Sequence, residues 1–273
     1  MSKLGLCLSG GGARGAYQIG AIKALEEFGI LQKVQVFSGV SIGAVNAIFI
    51  ASTPVDVAKD IWMNIPENPL GEKTSMIEKI KKNGFRVIDS GLFSLEKLDE
   101  ILSENIDFKK IQKANVFIAI SDTGESDKSI LGLFKSTFDH YIKKDSKAVY
   151  VPINELDRKL QIETIKASCS IPIVFPPVVN NNKKYVDGGY FDNTPIQPLV
   201  DFGCDEVICI KIAFANHFRD LKKKYPNIKI HEIKSNKRLG GVLNFTSKHS
   251  RELYQLGYDD AINYIKTHEI ITK

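Results

Sequence analysis

The chain lacks the features that would assign it to several large classes. It has no apolar stretch long enough to span a bilayer: the longest run, Val45 to Ala51, is interrupted by Asn46 and is far short of the ~20 residues a spanning helix needs. Its four cysteines, Cys7, Cys169, Cys204 and Cys209, show neither C-x-x-C nor metal-ligand spacing. This argues against a zinc module and a disulfide scaffold, and the expectation is buried, reduced thiols, no metal, no cofactor and a cytoplasmic chain. Repeats and low-complexity linkers are also missing, so the 273 residues are read as one domain, 1–273. Lys3 before Leu4-Gly5-Leu6-Cys7-Leu8 imitates the start of a signal peptide, but that run is strand-length and ends in three glycines rather than a cleavage site. Finally, no Asp or Glu occurs between Glu27 and Asp56, which decides how the first glycine loop is read.

Charge is present but uneven. The net charge is +5, and residues 217–238 carry eight Lys/Arg against two Asp/Glu. That run reads as a solvated loop and helix face, with peripheral contact to an anionic membrane as the alternative; nucleic acid is not expected as a partner.

The order of elements is informative. Leu4 to Leu8 is a buried-type strand, followed by Ser9-Gly10-Gly11-Gly12-Ala13-Arg14-Gly15. Ala16, Ile19, Ile22, Leu25 and Phe28 then recur at helical spacing, with Gly29 as the stop. Val34 to Phe37 is a second strand, leading into Gly39-Val40-Ser41-Ile42-Gly43 and a helix of small residues. Strand, glycine loop, helix, strand, turn, helix is a βαβα unit, which implies a mainly parallel sheet with right-handed crossovers. Further helices are expected from Pro54 through Trp62, around Leu95 to Leu102, over Leu156 to Ser168 and over Leu253 to Ile265. Strands are expected at Asn115–Ile120, Lys184–Val186 and Val207–Ile212. Met76, Ile77 and Ile80 suit one helical face within 64–94, which reads as a surface helix or a cap; Ser129–Phe134 and Thr137–Ile142 read as short strand or amphipathic pieces.

Three stretches carry chemistry. A serine at a strand-to-helix hairpin takes a strained conformation, and side chains two residues to either side would collide with neighbouring backbone; Gly39 and Gly43 relieve this, holding Ser41 out at a helix N-terminus. The plainer alternative is a tight turn in which Ser41 is an ordinary N-cap. Gly10, Gly12 and Gly15 fit the dinucleotide fingerprint, but the acid expected after the second strand is missing, and no Gly-Lys-Ser/Thr follows. An oxyanion hole remains: successive glycine N–H groups at a helix N-terminus stabilise negative charge. None of the five histidines sits in a glycine-flanked turn after a strand, whereas Asp187, followed by Gly188 and Gly189, does. Its plain alternative is a turn-capping aspartate.

Together, Gly10-Gly11-Gly12-Ala13-Arg14-Gly15, Gly39-Val40-Ser41-Ile42-Gly43 and Asp187-Gly188-Gly189 resemble, in that order, the three signature blocks of the patatin-like phospholipases. Ala167-Ser168 with Pro172 and Phe175-Pro176-Pro177, then Asn193 and Pro195, are similar to the stretches flanking the family's aspartate, and Gly257-Tyr258 is similar to its tail. The likeness covers about residues 3–212 and leaves 64–94 and 213–250 unmapped. It implies a three-layer α/β/α patatin-like fold and a catalytic dyad, with Ser41 the nucleophile and Asp187 the general base. It implies an oxyanion hole from the loop Gly10, Gly11, Gly12, Arg14 and Gly15, with the Gly11 and Gly12 N–H groups the foremost donors and Arg14 holding that loop or a nearby phosphate. The substrate implied is a lipid or other acyl ester, cleaved without a metal through an acyl-enzyme. The rival readings are a carboxylesterase or thioesterase acting on non-phospholipid esters, an acyl-lipid binding module without turnover, and a nucleotide-binding protein.

Overall fold

The computed structural model describes residues 2–65, 95–121, 148–170, 178–180, 183–185, 192–213, 221–242 and 244–270. Several expectations lie outside them: the face of Met76, Ile77 and Ile80, the segments Ser129–Phe134 and Thr137–Ile142, the proline-rich stretch from Ile171, and Asp187-Gly188-Gly189.

Eight strands are present among the described residues: β1 (Leu4–Leu8), β2 (Val34–Val40), β3 (Val116–Ser121), β4 (Ala148–Pro152), β5 (Val178–Asn180), β6 (Lys183–Tyr185), β7 (Glu206–Lys211) and β8 (Lys229–Lys234). Six of them form one sheet in the order β4-β3-β2-β1-β7-β8, and β5 and β6 form a separate hairpin. Every pair in the large sheet is parallel except β3 with β4. The helices are α1 (Gly15–Glu27), α2 (Ile42–Ser52), α3 (Val55–Met63), α4 (Leu95–Asn105), α5 (Phe108–Ile111), α6 (Arg158–Ser170), α7 (Gln197–Asp201), α8 (Leu221–Lys224) and α9 (Ser247–Thr267).

The central strand shows why the layers form. All five residues of β1 are buried. Leu4, Leu6 and Leu8 join a core with α1, α2, α3 and α9, while Cys7 joins a second core with Ile196, Leu199, Leu221 and Tyr225 from around α7 and α8. A parallel strand covered on both faces reads as an unbroken apolar run, as this one does. Helices on both faces of a mainly parallel sheet make the expected three-layer α/β fold. Cys7, Cys204 and Cys209 are buried free thiols, and burial raises the pKa of Cys169 to about 12.

Helix ends follow local chemistry. Gly29, at φ +67°, ends α1: its amide bonds Glu26 O and the Ile30 amide reaches Leu25 O, a Schellman closure. The Thr246 side chain accepts from the His249 amide to begin α9, six residues before the expected start at Leu253. Helix α1 is buried between the sheet and α9 because two glycines face backbone. A Cβ on Gly20 would collide with Tyr254 O, and one on Gly257 with Tyr17 O.

Two strands of the six-stranded sheet were not expected, and neither was β5 of the hairpin. Lys229–Lys234 lies inside the basic run yet is the edge strand β8, exposing its two lysine ends while Ile230, His231 and Ile233 are buried. Its side chains alternate, and pairing with β7 supplies what a solvated loop would take from water. β4 was not expected either; it is the antiparallel edge at the other side.

Candidate active site

β1 and β2 are parallel neighbours in register, Leu8 beside Gly39, so the loop after β1 and the turn after β2 emerge together at one end of the sheet. Ligand sites of open α/β sheets lie at such strand ends. A Cβ on Gly39 would strike Gly43 O, and one on Gly43 would strike Leu8 O and lie 2.6 Å from Ser9 O. The two bracketing glycines therefore permit close backbone contact, within the turn and between the turn and the glycine loop.

Ser41 has φ +54° and ψ −129°, and it is the one non-glycine residue with positive φ among those described. Such a backbone costs of order 1–3 kcal/mol and persists only where its surroundings enforce it. Ser41 occupies the N-cap position of α2, but its side chain makes no capping bond. Its carbonyl accepts from the amides of Ala44 and Val45. Its own amide donates to Ser168 Oγ at 2.8 Å, and that hydroxyl donates to Ala119 O on β3, also at 2.8 Å. The buried Ser168 side chain thus ties the strained turn to the sheet from the end of α6. Its sequence neighbourhood stood out through the family resemblance, but nothing in the pattern of residues pointed to this bond.

The glycine loop is equally constrained. Gly10 N donates to Asn193 O at 3.4 Å, Ala13 N to Val242 O at 2.8 Å, and Arg14 N to Gly11 O at 3.4 Å. Among the described residues, the amides of Gly11 and Gly12 bond to nothing. Gly12 has φ +58°, and a Cβ there would also run into Val242 O. The Arg14 guanidinium is buried and forks onto backbone: Nε and Nη2 donate to Gly240 O at 3.0 and 2.6 Å, and Nη1 to Ile212 O at 3.1 Å. Burial lowers its pKa from the ordinary arginine value. These bonds clamp the 239–242 loop onto the glycine loop. Gly15, at the start of α1, packs against Trp62 and Ile42 with no room for a Cβ.

Asp187, Gly188 and Gly189 lie outside the described residues. The segment that follows them is placed: Asn193 Nδ2 donates to Gly10 O at 3.4 Å, and Pro195 O accepts from the buried Ser38 hydroxyl at 2.6 Å. The chain leaving the third block is therefore bonded to the first loop and to the strand beneath the second. Asp192 accepts from the Tyr150 hydroxyl on β4. Of the histidines, His231 pairs with Glu206 at the opposite, N-terminal end of β7, at 2.6 Å, and His249 and His268 lie in and just after α9.

Residues 6–200 match the family model described as patatin-like phospholipase. The chain belongs to the patatin-like phospholipase family, a family of serine hydrolases. Patatin-like relatives extend the match. A protein of Invertebrate iridescent virus 6, "Probable lipid hydrolase 463L", is 26% identical over 82% of this chain and 76% of its own length. "Lysophospholipase NTE1" of Cryptococcus neoformans is 25% identical over 77% of this chain, a stretch amounting to 11% of that protein. The patatin-like fold is also similar to the solved structure of VipD from Legionella pneumophila, with a TM-score of 0.50 at 15% identity, over 98% of this chain and 67% of that one. Among the described residues, no helix is long and apolar enough to cross a membrane.

Proposed function

We propose that this protein hydrolyses acyl esters of lipids with Ser41 as nucleophile and Asp187 as its base. One observation carries the reading: Ser41 is held in a costly backbone conformation at a helix N-terminus, and its hydroxyl is not spent on capping. A serine serving only as a cap would accept from the first-turn amides and would need no strain. The neighbouring Gly11 and Gly12 amides, bonded to no described group, are the donors for the oxyanion, with Gly10, Arg14 and Gly15 shaping the loop. In the first half-reaction Ser41 Oγ adds to the ester carbonyl while its proton passes to Asp187; the tetrahedral oxyanion collapses, expelling the alcohol, which takes that proton. Water activated by Asp187 then releases the fatty acid and restores the serine. Asp187 lies five residues before Asp192, a span of at most about 18 Å of chain, and the bonds of Asn193 and Pro195 bring that end of the segment to the site. The likeness to a viral protein named a probable lipid hydrolase and a fungal protein named a lysophospholipase supports a lipid substrate, lysophospholipid among them. The chain works as one domain in this reading. Free, unbridged cysteines are in keeping with a cytoplasmic site of action. Peripheral contact with membranes is supported by Lys237 and Arg238, exposed just past the C-terminal end of β8, the same end of the parallel sheet as Ser41.

The test is hydrolysis of a medium-chain p-nitrophenyl ester together with labelling by a fluorophosphonate. Ser41→Ala is expected to lose both, and Asp187→Asn to lose turnover by at least about a hundredfold. Equal turnover by wild type and Ser41→Ala would end the proposal. Product analysis on mixed lipids then names the substrate.

A further inference from the structure

Behind the glycine loop lies a set of buried polar side chains that take no part in the chemistry above. Gln18 on α1 and Asn46 on α2 are both fully buried. Gln18 Nε2 donates to Ser9 O at 2.8 Å and to Ile210 O at 3.3 Å. Asn46 Nδ2 donates to Gln18 Oε1 at 2.9 Å and to Gly15 O at 3.1 Å. Asn46 Oδ1 accepts from Trp62 Nε1 at 3.1 Å, and Ser9 Oγ accepts from the Ile212 amide at 2.9 Å. Both hydrogens of each amide nitrogen and both amide oxygens are used, so the direction of each bond is settled and neither side chain can flip without losing partners.

We propose that Gln18 and Asn46 are positioning residues for the oxyanion loop. Two of the three backbone carbonyls they hold, Ser9 O and Gly15 O, bracket the glycine segment whose Gly11 and Gly12 amides face the reacting carbonyl in the reading above, on which this inference rests. Asn46 sits on the helix that follows Ser41, and its bond to Gly15 O ties that helix to the loop; Trp62 ties α3 to the same point. The pair therefore sets the distance between nucleophile and oxyanion donors, a quantity that neither the turn nor the loop controls alone. Exchanging both residues for an apolar pair removes their mutual bond at little cost, but it also takes the Gln18 donor from Ser9 O and the Asn46 acceptor from the Trp62 indole, so some stability is lost as well. The positioning role is therefore read from kcat and not from stability. A fully satisfied buried polar network adds rigidity and one defined arrangement. Oxyanion stabilisation depends on donors already in place, and misplacement by about 1 Å costs about a hundredfold in rate.

The experiment compares Gln18→Leu, Asn46→Leu and the double variant in the intact protein, reading thermal midpoint, kcat and KM on the p-nitrophenyl ester, and fluorophosphonate labelling rate. Expected for the double variant are a midpoint several degrees below wild type and, read well below that midpoint, kcat down by about 10- to 100-fold, KM within about twofold, and slower labelling, with the double no worse than the poorer single because the two residues act as one unit. A folded double variant with wild-type kcat overturns the inference. Should the leucine variants not fold, Asn46→Asp, which keeps the shape but removes both donors, and Trp62→Phe, which removes one N–H, are read in the same assay. Wild-type kcat in both overturns it equally. Ser41→Ala is run alongside. If it is inactive while the network variants are unimpaired, the positioning role alone fails; if Ser41→Ala turns over, the ester-hydrolase reading itself fails.

Discussion

Replacing Ser168 with alanine removes one oxygen and leaves two buried backbone groups without their partner. The Ser41 amide and the Ala119 carbonyl each stand 2.8 Å from that oxygen, and Ser168 has no exposure to solvent through which water could substitute. An orphaned buried donor or acceptor costs about 1–3 kcal/mol, so the pair accounts for about 2–4 kcal/mol once partial relaxation is allowed. The natural relaxation is for Ser41 to leave its positive-φ conformation, which recovers part of the strain and displaces the hydroxyl. Stability and activity should therefore fall together. At about 2–4 °C per kcal/mol for a chain of this size, the thermal midpoint drops by about 4–16 °C. Turnover of the p-nitrophenyl ester, read well below that midpoint, drops by at least tenfold with KM little changed. Ser52→Ala is the matched control. Its hydroxyl is also buried but only donates to the Ile48 carbonyl one turn back in α2, where the bond duplicates what the helix provides. It should cost less than about 1 kcal/mol and leave turnover intact. A Ser168→Ala protein with the midpoint and kcat of the Ser52→Ala control would refute the view that Ser168 enforces the turn.

Other substitutions probe the rest of the site. Gly43→Ala would press a methyl group onto Leu8 O and Ser9 O, so turnover should be lost along with several degrees of thermal midpoint; unchanged turnover would show that the loop and turn are not in backbone contact. Arg14→Lys keeps the charge but not the fork onto Gly240 O and Ile212 O, and limited proteolysis should cut the 239–242 loop faster than in wild type. His249, in the first turn of α9, is held below the ordinary imidazole pKa chiefly by burial and also by the charge of Arg14, against the pull of Glu252 and a backbone bond with Leu239. The unfolded chain then binds the proton more readily than the folded one. The stability contributed by the neutral ring is complete above about pH 6.5 and is lost as pH falls below that value. The urea midpoint should accordingly fall between pH 7.5 and 5.5, and His249→Gln should flatten that slope.

Much of the architecture could be read residue by residue because its causes are local. The apolar run Leu4 to Leu8 needs cover on both faces whatever its neighbours are, Gly29 ends α1 through its own backbone freedom, and glycines at 39 and 43 permit a turn that larger side chains would block. Strand β8 was obscured because Lys-Ile-His-Glu-Ile-Lys carries charge at the positions an edge strand exposes, and a charge count does not separate such a strand from a solvated loop. Its buried interior, Ile230, His231 and Ile233 between exposed lysine ends, appears once β7 is there to pair with it.

The site divides along the same line. Which residue types stand in the three glycine-bracketed blocks follows from chain order, and so does the parallel adjacency that puts the first two at one end of the sheet. What holds them is long-range. Ser168 meets Ser41 across 127 positions, and Arg14 meets Gly240 across 226. A hydrogen bond of that kind leaves no period or spacing in the sequence, because it depends on where two separately folded elements come to rest. The identity of the serine is written in its neighbours along the chain; its strained backbone is maintained by neighbours that folding alone brings near.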